Sequence, residues 1–333
     1  MKTLAETAFS VLDLASIKRG GSAAEAFART ATLARHAEAL GYTRYWLAEH
    51  HNLAGVASSA TSVLIGFVAA NTHSIRVGSG GVMLPNHAPL IIAEHFGTLE
   101  SLYPGRIDLG LGRAPGTDGL TARALRRHLS SDENEMAELL AELRGYFKPE
   151  RPGEHVRAIP GEGLDIPVWL LGSGAYSAQL AGMLGLPFGF ASHFAPDNVV
   201  AALDLYRRSF RPSATLQQPY VQVGMNVVAA DTQAHAEFLA TSLKQRWLRM
   251  IRNERAPLDP PVASMQGIWN EREEILVNAR LAATAIGDAT TVGRQMQDFI
   301  DQTQADEIII CTDTFDEADR LRSYEIVMQA KGA

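Results

Sequence analysis

A closed (β/α)8 barrel is the fold this sequence predicts, and three observations predict it. Apolar, β-branched runs of strand length recur about eight times, with helical segments between nearly all of them. Such alternation calls for a parallel sheet, because parallel strands are joined only through crossovers. Glycines gather where the third and fourth runs end, Gly78, Gly80 and Gly81 in one and Gly112 in the other. In α/β folds the carboxyl ends of strands are where ligands bind, and glycine lets a flat or phosphorylated ligand approach the backbone. The chain of 333 residues has no long linker or low-complexity tract. It therefore reads as one domain over residues 1–333, close to the ~250 residues of a typical barrel plus an insertion. An open doubly wound sheet is the competing architecture, and eight repeats favour closure.

Taken in order, residues 7–12 form the first strand, ending at Asp13. Ser22-Ala-Ala-Glu25 has the form of a capping box, in which hydroxyl and carboxylate satisfy orphan amides reciprocally. Small and apolar residues from Ala23 to Ala37 keep helical spacing, and Gly41 suits the position just past a helix end. Residues 42–48 form the second strand and deliver Glu49-His50-His51-Asn52 at its end. Residues 58–71 read as a helix with a wide apolar face, too short to span a membrane. The central stretch, 76–118, is a strand (76–84), a helix (89–103) broken by Pro104-Gly105, and a strand (106–112) opening into Arg113. Residues 132–147 read as an acidic amphipathic helix and 149–163 as a turn-rich connection. A buried strand, 167–171, runs into Gly172-Ser-Gly-Ala-Tyr-Ser177 and a helix ending near Gly185. Strand 188–191 precedes Ser192-His193-Phe194, and a helix over 197–210 leads to strand 220–229. Residues 232–303 are mostly helical and too long for one crossover, which marks an insertion. Strand 306–311 and a helix opened by Thr314-Phe-Asp-Glu317, again of capping-box form, complete the fold.

Composition excludes several classes. Hydrophobic content of 46 % and charged content of 20 % are ordinary for a globular protein. A net charge of −7 without a basic cluster argues against nucleic acid and anionic membranes as partners. No run approaches the ~18 apolar residues of a membrane helix, and the N-terminus lacks a signal-peptide core, so a soluble, cytoplasmic protein is expected. The sole cysteine, Cys311, lies in an apolar run and reads as a buried structural thiol.

Four motifs carry chemistry. Gly172-x-Gly174-x-x-Ser177 follows a strand and opens a helix, so its amides, with the Ser173 and Ser177 hydroxyls, suit a phosphate; a tight turn is the plainer reading. It lacks the third glycine of a dinucleotide fingerprint, and barrel phosphate sites arise after late strands. Arg113, just past strand 106–112, is placed to offer paired donors to the same phosphate, or is an ordinary surface arginine. In Glu49-His50-His51, strand alternation lets only one histidine face the cavity, as a general acid or base, a donor to a carbonyl, or a structural histidine. A metal set from His50, His51, His87 and His95 is disfavoured, because the adjacent pair cannot chelate from one face. His87 sits in a loop as a cavity wall or cap, and Glu94 on a helix reads as solvated or ion-paired.

Tyr45-Trp-Leu-Ala-Glu-His-His-Asn52, Gly78-Ser-Gly-Gly-Val-Met-Leu-Pro85, Tyr103-Pro-Gly-Arg-Ile-Asp-Leu-Gly-Leu-Gly-Arg113 and Gly172-Ser-Gly174 together resemble the bacterial luciferase-like flavin-dependent monooxygenases. The likeness covers nearly the whole chain and is to the uncharacterised enterobacterial-type enzymes more than to the light-emitting ones. It implies a dimeric (β/α)8 barrel binding FMN at the strand carboxyl ends. By resemblance His50 is the catalytic histidine near the isoalloxazine, Ser79-Gly80 forms a cis peptide beneath the ring, and Arg113, Ser173, Gly174 and Ser177 bind the phosphate. Gly112 stands beside the flavin where the light-emitting enzymes carry a cysteine, so light emission is not expected. The expected activity is a two-component FMN-dependent monooxygenase, using reduced FMN from a separate flavin reductase and O2 on a small organic substrate. Hydride transfer with the deazaflavin F420, and flavin binding without turnover, are the alternatives. Ser192-His193-Phe194 and residues of the insertion are expected to line the substrate pocket.

Overall fold

The eight apolar runs become eight parallel strands of one closed barrel, because each strand can bury both faces only when helices cover the outside and side chains fill the inside. The structure, a computed structural model, describes residues 2–125, 135–150, 153 and 155–332. In chain order the elements are β1 (Ala8–Asp13), α1 (Ala23–Ala39), β2 (Arg44–Leu47), α2 (Thr61–Ala70), β3 (Arg76–Met83), α3 (Pro89–Leu102), β4 (Ile107–Gly112), α4 (Gly119–Ala124), α5 (Glu135–Tyr146) and β5 (Val168–Gly172). They continue as α6 (Ala175–Leu184), β6 (Phe188–Phe190), α7 (Val199–Ser209), β7 (Val221–Ala229), α8 (Gln233–Ile251), α9 (Glu271–Arg280), β8 (Thr284–Gly287), α10 (Ala289–Thr303), β9 (Glu307–Cys311) and α11 (Glu317–Gly332). Strands β1 to β7 pair in sequence, β9 pairs with both β7 and β1, and the ring closes.

Strand parity sorts the side chains. Outward residues such as Val11, Leu47, Val77, Leu109, Leu170, Phe188 and Ile310 join the core between sheet and helices, each buried large side chain contributing about 1.5–3 kcal/mol. Inward residues stack in two tiers. At the amino-terminal end Arg44 pairs with Asp108 at 2.7 Å and Glu307 at 3.2 Å, and Arg76 pairs with Asp108 at 2.6 Å. Gln222 and Tyr220 donate to Glu307 at 2.9 and 3.0 Å, so the buried carboxylates are well supplied with donors. Above this plug, Trp46 and Trp169 meet edge to face at 5.1 Å beside Leu12, Ala48 and Ile309. The lower barrel is therefore filled, and among the described residues the end of the barrel open to a ligand is the carboxyl-terminal mouth.

The capping box at Ser22 and Glu25 forms, and Gly41 follows the cap with φ +82°. Cys311 is buried and free, and burial pushes its thiol up, away from reactivity. Three expectations need correction. The stretch 232–303 is mostly helical, yet it also holds β8, which pairs with the carboxyl half of β7 outside the ring; a four-residue strand between two helices leaves almost no period to read. The last helix is opened by Asp316, whose Oδ1 accepts from Ala318 N at 2.8 Å, rather than by Thr314. The helix expected over 58–71 starts only at Thr61. Of the acidic helix over 132–147, positions 132–134 lie outside the described residues. No helix among the described residues is long and apolar enough to cross a membrane.

Candidate active site at the barrel mouth

The end of β2 separates its two histidines. Arg44, Trp46 and Ala48 point into the barrel, and His50 continues that parity into the mouth, while Glu49 and His51 turn to the other side. Glu49 is almost fully buried and takes hydrogen bonds from His51 Nε2 and His87 Nε2, both at 2.9 Å, from Met83 N at 3.1 Å and from Asn86 Nδ2 at 3.2 Å. Burial alone would raise its pKa, but the His51 and His87 donors overcome it and hold the carboxyl at about 2. His51 and His87 are thus committed to tying the β2 end to the loop after β3. His95 lies elsewhere, bonded to Ser62 at 3.1 Å between α3 and α2. Among the described residues no three His, Cys, Asp or Glu side chains converge as a metal set.

His50 keeps a different bond. Its Nδ1 lies 3.2 Å from the carbonyl oxygen of Gly116, so the proton of the neutral ring belongs on Nδ1 and Nε2 carries the lone pair. Burial lowers its pKa most, the Gly116 carbonyl opposes this, and the Arg246 charge lowers it further. The ring is therefore an uncharged base at neutral pH.

Next to β2, strands β3 and β4 carry glycines where neighbouring side chains and backbone leave no room for a Cβ. A Cβ on Gly80 would lie 2.8 Å from Leu12 Cδ1, and one on Gly81 would lie 2.7 Å from both the Gly110 carbonyl oxygen and Leu171 Cδ1. The cis peptide expected at Ser79-Gly80 is found one residue later, between Gly80 and Gly81. Ser79 instead stays in the ladder, its hydroxyl donating to the Gly110 carbonyl at 2.8 Å, and the β3–β4 register shifts between Gly80 and Val82. At Gly112 the space a Cβ would need is bounded by the Met83 sulfur at 3.0 Å.

On the β4–β5 side the structure gathers a site suited to an anion. Helix α6 starts at Gly174 in extended conformation with no side-chain cap, so its first amides are left for a ligand or water. Ser173 and Gly174 are exposed and Ser177 is half-buried on the first turn. Gly172 is needed there, since a Cβ would come within 2.6 Å of Ser177 Oγ. Arg113, at the end of the neighbouring strand, lies over the ring of Tyr176 at 4.6 Å. That stack holds the guanidinium next to the helix start.

The sequence marks Ser192-His193-Phe194 and the insertion as pocket lining but singles out no residue within the insertion. His193 follows β6 and reaches the mouth, and Arg246 enters it from α8 of the insertion. Arg246 pairs with Asp313 just past β9, and Ser16 Oγ donates to the same carboxylate at 2.8 Å. A helical position inside an insertion gives no hint of facing a barrel, so only tertiary packing could reveal Arg246. Next to it lies a cavity of about 300 Å³, lined by Leu53, Val56, Thr117, Met250 and Pro257 among others. The mouth thus offers an anion cradle, a glycine-rich stretch of β3 and β4, a neutral base and an adjoining cavity whose lining mixes apolar residues with Arg246, Arg249 and Glu254. A planar cofactor carrying a phosphate fits that donor set.

Residues 7–307 match the family model described as luciferase-like monooxygenase. A luciferase-like monooxygenase of Escherichia coli (strain K12) is 54 % identical over 324 residues, covering 97 % of both chains. The solved structure of apo-MsnO8 superposes with a TM-score of 0.90 at 33 % identity, covering 97 % of this chain and 98 % of that one. More distant structures share the fold: the oxygenating constituent of 3,6-diketocamphane monooxygenase in complex with FMN (TM-score 0.73, 18 % identity, 97 % of each chain), and an F420-dependent secondary alcohol dehydrogenase (TM-score 0.69, 14 % identity, 98 % and 99 %).

Proposed function

Because the chain belongs to the luciferase-like monooxygenase family, we propose that it is an FMN-dependent monooxygenase acting on a small organic substrate, supplied with reduced FMN by a separate reductase. The observation that carries this reading is one geometry: His50, the Gly80-Gly81 pair, Arg113 and the uncapped α6 start stand toward the carboxyl ends of four successive neighbouring strands, β2 to β5. Bound reduced flavin supplies the electrons that activate O2. The chain's own residues do the rest. Arg113 and the α6 amides with Ser173 and Ser177 hold the phosphate, and the glycines of β3 and β4 admit the ring. His50 Nε2 takes or returns the proton that moves during oxygen transfer. The filled barrel below and the α8 wall above keep water from the reacting atoms.

An F420-dependent hydride transfer is the second reading, favoured by the fold shared with F420-dependent structures. The test is His50→Gln. Substrate oxidation at saturating reduced FMN should fall by roughly 10²- to 10³-fold, the range of a lost general base, with reduced-FMN affinity near that of the parent. An unchanged rate would remove His50 from the chemistry. The reading extends to a homodimer, since Val63 and Phe67 of α2 and Ile91 and Leu102 of α3 are exposed apolar residues on adjacent helices. Sedimentation should give a dimer that Val63→Arg weakens; a monomeric parent would contradict this.

A further inference from the structure

His193 is held in the mouth by a seat built for its ring. The imidazole rests against β7 at Gly224, where a Cβ would overlap Nδ1 and lie 3.0 Å from Cε1 and Cγ. Its backbone is pinned as well: Asn226 Nδ2 donates to the His193 carbonyl at 2.7 Å, and Ser192 Oγ donates to the Gly224 carbonyl at 2.6 Å. Nδ1 is buried against the strand and has no hydrogen-bond partner. A proton there would carry the full cost of an unmade buried bond, so the neutral ring keeps its proton on Nε2. Part of the residue stays open, and Nδ1 is not that part.

His50 has the reverse arrangement, with its proton committed to the Gly116 carbonyl through Nδ1. We propose that His193 is a further ligand-contacting residue of the site, a neutral imidazole whose Nε2–H donates to a carbonyl-type acceptor of the molecule bound at the mouth, opposite in sense to the accepting Nε2 of His50. The charged and titratable groups around it are His50 from β2, Arg246 from α8 and Asp313 after β9. Burial pushes the His193 pKa down to about 4, and the His50 and Arg246 charges act in the same direction while Asp313 opposes them. Through the neutral range the ring is therefore an uncharged donor, which suits an oxygen acceptor such as a carbonyl. This rests on the flavin and substrate reading of the mouth.

The first readout needs no flavin. ¹⁵N NMR of the imidazole nitrogens at neutral pH, assigned with His193→Gln and His50→Gln, should give the Nε2–H tautomer for His193 and the Nδ1–H tautomer for His50. An imidazolium or an Nδ1–H tautomer at His193 would overturn the proposal. The second readout compares His193→Leu, which fills the space without a donor, with His193→Gln, which keeps an N–H. His193→Leu should lose roughly tenfold or more in reduced-FMN affinity or in substrate KM, as for one lost hydrogen bond to a ligand. His193→Gln should recover most of that loss, and Gly224→Ala, by displacing the ring, should reproduce it. A His193→Leu protein that binds and turns over like a competent parent would sink the role of His193 alone. A parent that binds no flavin at all would sink the proposed function, and with it the ligand assigned to His193.

Discussion

Glu49 is a buried carboxylate with four donors aimed at it, and its stability contribution has a defined pH window. Its folded pKa, about 2, lies below the ordinary 4.5. The contribution is therefore complete above about pH 4.5 and is lost as pH falls toward 2. Glu49→Gln should cost about 2 kcal/mol at pH 7, the scale of hydrogen bonds to a charged group. In thermal melts the gap between parent and variant should narrow as pH drops through that window; a constant gap would contradict the assignment. Arg113 makes a sharper prediction about ligand chemistry. Arg113→Ala should weaken FMN binding by roughly ten- to a hundredfold, about 1.5–3 kcal/mol, and leave riboflavin, which lacks the phosphate, unaffected. An equal loss for both flavins would show that the arginine does not read the phosphate. At this scale the sequence was legible where parity or motif applied. His50 and His51 fall on opposite sides as strand alternation requires, and Arg113 with Ser173, Gly174 and Ser177 cluster at the ends of β4 and β5. His87 was not legible, because its partner Glu49 sits 38 positions away.

Among elements, β3 and β4 are the most tightly packed at the mouth, because their glycines let the strands and the Leu12 and Leu171 side chains share one small space. A Cβ on Gly110 would overlap the Ser79 carbonyl and lie 3.0 Å from Leu171 Cδ1. Gly110→Ala should destabilise the fold by about 1–3 kcal/mol, as overpacking does, and should weaken flavin binding as β3 moves; denaturant unfolding at parent stability would contradict this. All eight barrel strands could be read in advance, since each is an apolar run bounded by turn residues. The ninth, β8, could not, because Thr284–Gly287 is too short to show alternation and pairs outside the ring. Loop 252–261 is likewise a tertiary product. Asp259 pairs with both Arg19 and Arg249, fastening the segment after α8 to the β1 side of the mouth. Asp259→Ala should raise amide hydrogen exchange in residues 252–261 selectively; unchanged exchange would mean the loop is held otherwise.

The whole molecule divides its labour along the barrel axis. A network of charges and two tryptophans fills the amino-terminal half, so rigidity is supplied where no ligand goes. The carboxyl-terminal half carries the loops, the insertion and the groups that can hold an anion, a flat ring and a proton. His193 enters that half from the late loop expected to line the pocket, whereas Arg246 enters from the insertion, which is why it emerges only when the ring is closed. The central claim is that this mouth takes FMN. The most direct measurement is an anaerobic equilibrium titration of the purified protein with oxidised FMN, reduced FMN and F420, read by absorbance and fluorescence, for the parent and Arg113→Ala. Reduced FMN should bind the parent saturably and in preference to F420, and the arginine substitution should weaken that binding. Preference for F420, or binding of none of the three, would contradict it.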